Sequence, residues 1–167
     1  AVLLRERLTL LPHNQSPRTI KSLLKAYPKS YCLTDNVIDL QPDNILVSYG
    51  ALTESHARFP VLNLDRIVSI SFTSGSTGEP KPIPKTLREF KVGAELAVTQ
   101  FDLARFNATL VSTATPQHMY GLETSFFWPL FSRLAILNCR PFYPEDVRRC
   151  LAKVEGPAVL VGTPTHL

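Results

Sequence analysis

The sequence predicts an α/β fold, on three observations. Strand-like and helix-like segments alternate along the chain, with no internal repeat and no linker dividing it. The clearest local unit is a capped helix followed at once by a short strand, at residues 17–34. The 167 residues are 44% apolar and 19% charged, enough to build a core and too apolar for disorder.

The elements follow in order. Residues 1–12 mix Leu with Arg and Glu and suit a helix or strand ending at Pro12. His13 to Pro17 is a turn cluster, in which Ser16 can cap a helix with Pro17 at its first position. That helix is expected to reach about Tyr27, with Ile20, Leu23, Leu24 and Tyr27 on one face. Tyr31 to Thr34 reads as a strand. Val37, Ile38 and Leu40 make one apolar patch, Ile45 to Val47 a strand leading to a turn at Gly50, and His56 to Pro60 a loop. Ile67 to Phe72 is the next strand. Pro82 and Pro84 keep the following stretch extended, and because proline lacks an N–H they place it at a sheet edge or outside the sheet.

Thr86-Leu87-Arg88-Glu89 is a capping box that opens a helix running to about Gln100, with Leu87, Phe90, Ala94, Ala97 and Phe101 as its apolar stripe. Thr109 to Thr113 is a strand, Leu122 to Leu130 a buried helix, and Leu134 to Leu137 a strand. Pro144-Glu145-Asp146 opens a helix carrying Val147, Leu151 and Val154, its acidic first turn complementing the helix dipole. Gly156-Pro157 ends it, and Val159 to Val161 is a final strand.

Bulk properties exclude several classes. The net charge of +4 comes without a long basic run, which argues against a nucleic-acid partner. Three widely spaced thiols, Cys32, Cys139 and Cys150, form no C-x-x-C pair; they suit a reducing compartment and argue against a disulfide framework or a zinc site. The first residues carry charge too early for a secretory signal, and the most apolar run, Phe126 to Leu137, is broken by Pro129, Ser132 and Arg133, so no membrane span is expected. A cytoplasmic protein is the expectation. The sole methionine is Met119, so the chain is expected to be processed or a segment of something longer.

The chemistry gathers where the strand Ile67–Phe72 runs into Thr73-Ser74-Gly75-Ser76-Thr77-Gly78-Glu79-Pro80-Lys81. Such a run suits neither a helix nor a packed strand, because Ser and Thr compete for backbone hydrogen bonds and Gly loses entropy on ordering. It can instead aim backbone N–H groups, the hydroxyls of Thr73, Ser74, Ser76 and Thr77, and the Lys81 ammonium at one anion rich in oxygens, a polyphosphate. A P-loop needs G-x-x-x-x-G-K-[ST]; here Gly75 and Gly78 are three apart and Pro82 follows Lys81. A dinucleotide loop needs G-x-G-x-x-G opening a helix, which Pro80, Pro82 and Pro84 forbid. An ordinary Ser/Gly surface linker has the same composition, and the order of residues separates the two.

That order resembles the signature of the adenylate-forming superfamily, which contains acyl-CoA synthetases, adenylation domains and luciferases. The pattern is a strand followed by [ST]-[ST]-G-[ST]-[ST]-G-x-P-K, and Thr73 to Lys81 match every position. The family also has a P-x-x-H-x-x-G-like segment after a later strand. Pro116-Gln117-His118-Met119-Tyr120-Gly121 is similar to it, with one residue instead of two between Pro and His, 35 residues past Lys81. Val159 to Thr165 is similar to a strand ending in [VT]-P-[ST] found further along. Pro82-Ile83-Pro84-Lys85 departs from the common Gly-Val continuation, and with Leu11 to Pro17 it resembles the divergent AMP-ligases of aryl-polyene and pigment gene clusters.

The resemblance implies one partial AMP-binding domain over residues 1–167, part of the large N-terminal domain of the adenylate-forming fold. The adenine-binding segments and the C-terminal lid with its catalytic Lys are absent, so this stretch alone is expected to be inactive. It implies ATP and Mg2+ as cofactors, a carboxylic acid as substrate, and CoA or an acyl carrier protein as acceptor. It implies that Thr73, Ser74, Gly75, Ser76, Thr77, Gly78 and Lys81 bind phosphate, that His118 borders the carboxylate in a catalytic and substrate-binding role, and that Gly121 leaves room for the acyl group. No protein-held metal site is expected. The alternative from another class is a non-catalytic nucleotide- or acyl-binding module with a decayed adenylation site.

Overall fold

In chain order the elements are β1 (Thr9–Leu11), α1 (Pro17–Ala26), β2 (Cys32–Thr34), β3 (Asn44–Leu46), β4 (Ile67–Thr73), β5 (Lys81–Thr86), α2 (Leu87–Gln100) and β6 (Thr109–Ser112). A continuous helical segment follows, made of α3 (Met119–Leu122), a π-helical turn (Glu123–Phe127) and α4 (Trp128–Phe131). The chain then forms β7 (Ala135–Ile136), α5 (Pro144–Leu151) and β8 (Ala158–Val161). The structure is a computed structural model and describes residues 7–12, 14–34, 44–46, 61–73, 80–103 and 106–164. Packing separates residues 14–61 from a larger unit of residues 1–13 and 62–167.

In the smaller unit the sequence signals for α1 are realised. Ser16 caps it, its Oγ accepting the Thr19 N–H at 3.2 Å, and Pro17 occupies the first turn. Asn14 Oδ1 accepts the Ser16 N–H at 3.0 Å and the Thr19 hydroxyl at 2.7 Å. Ile20, Leu23, Leu24 and Tyr27 are half-buried along one face, and no residue of α1 is fully buried. β2 and β3 pair in parallel, Cys32 opposite Asn44. The patch at 37–40, the turn at Gly50 and the loop at 56–60 lie outside the described residues.

In the larger unit two small sheets enclose a helical layer. The first has the order β1-β4-β5, with β1 parallel and β5 antiparallel to β4. β5 is an edge strand despite Pro82 and Pro84, which is where prolines are tolerated. The second sheet is parallel, in the order β7-β6-β8. α2 and the 119–131 segment pack on both. Towards the first sheet, Val68, Leu87, Phe90 and Phe127 form a cluster that Met119, Leu122, Leu130 and Phe131 join. Phe90 and Phe127 stack with ring centroids 3.9 Å apart. Towards the second sheet, Val98 and Trp128 pack on Leu103, Ala108, Leu110, Leu134 and Val161.

Three element expectations are corrected. Phe101 is 62% exposed, because α2 ends at Gln100 and the chain turns at Asp102, whose φ is 50°; the ring lies beside Trp128 instead of extending the buried stripe. Val154 falls outside α5, which stops at Leu151. The expected helix from Leu122 starts at Met119 and widens into the π turn, in which the Trp128 N–H reaches the Glu123 carbonyl. Pro129 explains the irregularity: it has no N–H to return to the preceding turn. Cys139 and Cys150 lie beside each other as free thiols, and burial, with Cys150 next to it, pushes the Cys139 thiol up to about 12. Among the described residues no helix is long and apolar enough to cross a membrane.

Candidate functional site

β4 alternates its side chains in the usual strand manner. Val68 enters the core, while Ser69, Ser71 and Thr73 share the opposite face. The Ser69 and Ser71 hydroxyls are buried and make no hydrogen bond. At the strand's end Thr73 is exposed and stands directly opposite Lys81 of β5, which is also exposed. The phosphate-like run therefore leaves and re-enters the sheet at one point, with its first hydroxyl and its lysine as neighbours. Ser74, Gly75, Ser76, Thr77 and Gly78 lie outside the described residues. Lys81 has no ion pair among the described residues, whereas Lys85 is held by Glu89 at 3.0 Å. A hydroxyl and an uncommitted ammonium side by side form a donor set that fits a polyphosphate.

The anchoring of this hairpin is local. Thr86 Oγ1 accepts the Glu89 N–H at 3.2 Å, and the Glu89 carboxylate takes the Thr86 N–H at 2.8 Å. That N–H, with Lys85 beside it, holds the Glu89 carboxyl below its ordinary value. Asp65 takes two hydrogen bonds from the Arg88 guanidinium, at 2.7 and 3.1 Å, which lowers the Asp65 pKa.

His118 is placed differently. β6 is the central strand of its sheet, and the chain visits β7 on one side before crossing to β8 on the other. The carboxyl ends of β6 and β8 thus flank a topological switch point, where open α/β sheets bind ligands. Thr113 ties these ends together, its N–H and hydroxyl both reaching the Val161 carbonyl, at 2.9 and 3.4 Å. The His118 turn leaves β6 here, and Gly162-Thr163-Pro164 leave β8. Two segments singled out in the sequence are thereby brought side by side; Thr165 lies outside the described residues.

His118 is the N-terminal boundary of α3. Its N–H donates to the Thr115 carbonyl at 3.1 Å, and its carbonyl accepts the Leu122 N–H at 2.8 Å. The imidazole is exposed and makes no hydrogen bond among the described residues. Gly121 is buried, and a Cβ there would stand 1.9 Å from the Thr115 carbonyl oxygen. The space left by the missing side chain is filled by the backbone of the His118 turn, so Gly121 has a packing role that the sequence did not reveal. Gly93 similarly makes room for the Glu123 carboxylate, which would lie 2.6 Å from a Cβ. Met119, next to His118, belongs to the cluster that contains Val68 of β4, so one core supports both the hairpin and the His118 turn.

A family model described as AMP-binding enzyme matches residues 7–167. The chain belongs to the AMP-binding enzyme family. The α/β fold matches the N-terminal domain of adenylate-forming enzymes. The o-succinylbenzoate CoA synthetase of Bacillus subtilis, in complex with ATP and magnesium ion, superposes with a TM-score of 0.72 at 16% identity, over 91% of this chain and 33% of that one. The same enzyme with its acyl-adenylate intermediate gives 0.67 at 17% identity, over 91% and 42%. A malonyl-CoA ligase holding methylmalonyl-CoA and AMP gives 0.72 at 21% identity, over 95% and 35%. This family member thus spans less than half the length of these relatives. No curated protein matches the sequence.

Proposed function

We propose that this chain supplies the triphosphate-holding part of an enzyme that activates a carboxylic acid with ATP. A carboxylate oxygen attacks the α-phosphorus, a new acyl–phosphate bond forms, the bond to the β-phosphate oxygen breaks, and pyrophosphate leaves with its electron pair. The observation that carries this reading is the Thr73–Lys81 cross-strand pair, which brackets a run matching the family signature at nine positions.

Two anions must meet in this reaction, so positioning and charge neutralisation supply most of the catalysis. In this reading Thr73, Ser74, Ser76 and Thr77 donate to the β- and γ-phosphates, Gly75 and Gly78 allow close backbone approach, and Lys81 adds positive charge. His118, exposed at the switch point, borders the carboxylate. Gly121 was expected to leave room for the acyl group; the space its missing side chain leaves is taken by the Thr115 backbone, which keeps the His118 turn tight. Magnesium would neutralise the phosphate oxygens when bound, and the hydroxyls of this run would hold the phosphates that it neutralises. The ATP- and magnesium-bound relative supports this assignment, and the relative holding methylmalonyl-CoA supports CoA as the final acceptor, with a carrier-protein thiol as the alternative. Three widely spaced cysteines with no C-x-x-C pair accord with a cytoplasmic setting.

The test is exchange of labelled pyrophosphate into ATP by the whole protein across a panel of carboxylic acids. Exchange that depends on one class of acid is expected. ATP binding without exchange for any acid would instead establish a non-catalytic nucleotide-binding module.

A further inference from the structure

The charges of α1 follow a rule that the other long helices break. Between Leu8 and Thr34 the sequence has no Asp or Glu, and its charged residues are Arg18, Lys21, Lys25 and Lys29. All four are exposed. Within α1, Arg18, Lys21 and Lys25 fall within about 60° of one another, in a row about 10 Å long, and Lys29 lies in the non-helical turn that follows α1. Ile20, Leu23 and Leu24 lie on the far side and are half-buried.

On α2 and α5 surface cations are neutralised one turn away: Lys91 pairs with Glu95, and Glu145 takes both Arg148 and Arg149. None of the four, three on α1 and Lys29 just after it, has an ion-pair partner among the described residues. Lys21 and Lys25 stand at i,i+4 and Arg18 and Lys21 at i,i+3, spacings at which like charges destabilise a helix. The helix therefore carries a repulsion that its own stability does not explain and that an opposing anionic surface would relieve.

We infer that the Arg18–Lys21–Lys25–Lys29 face docks a protein partner that presents a helix with a row of carboxylates. A bilayer fits less well, because a membrane-surface helix must bury its apolar face, and the apolar face of α1 is already half-covered. A nucleic acid fits less well because three of the four cations are lysines, which lack the planar fork that recognises phosphate, and no aromatic side chain interrupts the row. This inference stands apart from the adenylation reading.

The test measures binding of the 167-residue chain to a labelled, alanine-rich helical peptide with glutamates at i, i+4, i+7 and i+11. A second peptide of the same composition spreads its glutamates around the helix. Binding of the first peptide is expected to be stronger, to weaken from 50 to 300 mM salt, and to fall about tenfold in Lys21→Glu/Lys25→Glu. A peptide with lysines replacing the glutamates is expected to bind that variant and not the wild type, which excludes misfolding as the cause. Equal binding of both glutamate peptides would overturn the proposal. So would preferential binding to phosphatidylglycerol vesicles or to a single-stranded RNA 20-mer, lost in the same variant.

Discussion

The β4–β5 hairpin and the His118 turn carry the two groups of candidate site residues, and they are built in opposite ways. The hairpin is specified by side chains and strand register: a capping box, an Asp65–Arg88 ion pair and the Thr73–Lys81 pair hold its ends. The His118 turn is specified by backbone: Thr113 bound to Val161, Thr115 bound to His118, and Gly121 pressed on Thr115. Chemistry carried by a run of residue types announces itself in a sequence. Chemistry placed by close backbone approach does so only where a glycine is needed.

The largest expected effect comes from breaking what the two share. Phe127→Ala removes a buried ring stacked on Phe90, from the cluster that joins β4, α2 and the His118 helix. Urea unfolding should show a loss of about 3–5 kcal/mol, with both the hairpin and the turn affected. A loss confined to one of them would mean that the core is not shared.

Gly121→Ala should act on the turn alone. A methyl group 1.9 Å from a carbonyl oxygen forces the backbone apart, at a cost of about 1–3 kcal/mol in the same unfolding measurement. Amide hydrogen exchange should rise at His118 and Leu122 and stay unchanged in β5. An unaffected turn would remove the packing role assigned to this glycine.

Thr86→Ala acts where the hairpin runs into α2 and should cost about 1 kcal/mol through the lost cap. Glu89→Gln is smaller, below about 1 kcal/mol, because the carboxylate is half exposed. Its pH dependence has a definite sign. The Glu89 pKa is lowered on folding, so its contribution is present above the ordinary 4.5 and is lost as pH falls through the folded value. Wild type and Glu89→Gln should differ at pH 7 and converge as the pH falls below the folded Glu89 value, in chemical denaturation. A difference that persisted at low pH would assign the effect to shape, not charge.

The same contrast explains what was legible in the sequence. The capping box at Thr86 and Glu89, the Ser16–Pro17 helix start and the proline-bearing edge strand are local devices, and each appears where its residues predict. The parallel pairing of β1 with β4 is not local, and nothing near Thr9 announces Ser69 as its partner. The π turn after Leu122 and the exposure of Phe101 depend on how one Pro and one positive-φ Asp redirect the backbone. For the site, residue order pointed to the Thr73–Lys81 run and to His118 as candidates. The switch point that joins the His118 turn to Gly162 required the strand order, which no single segment encodes.

The central claim is that the hairpin run holds the phosphates of ATP, and Thr77→Ala in the whole protein tests it most directly. Acid-dependent ATP–pyrophosphate exchange should fall more than about tenfold, with the thermal midpoint unchanged. Exchange at the wild-type rate would contradict the assignment.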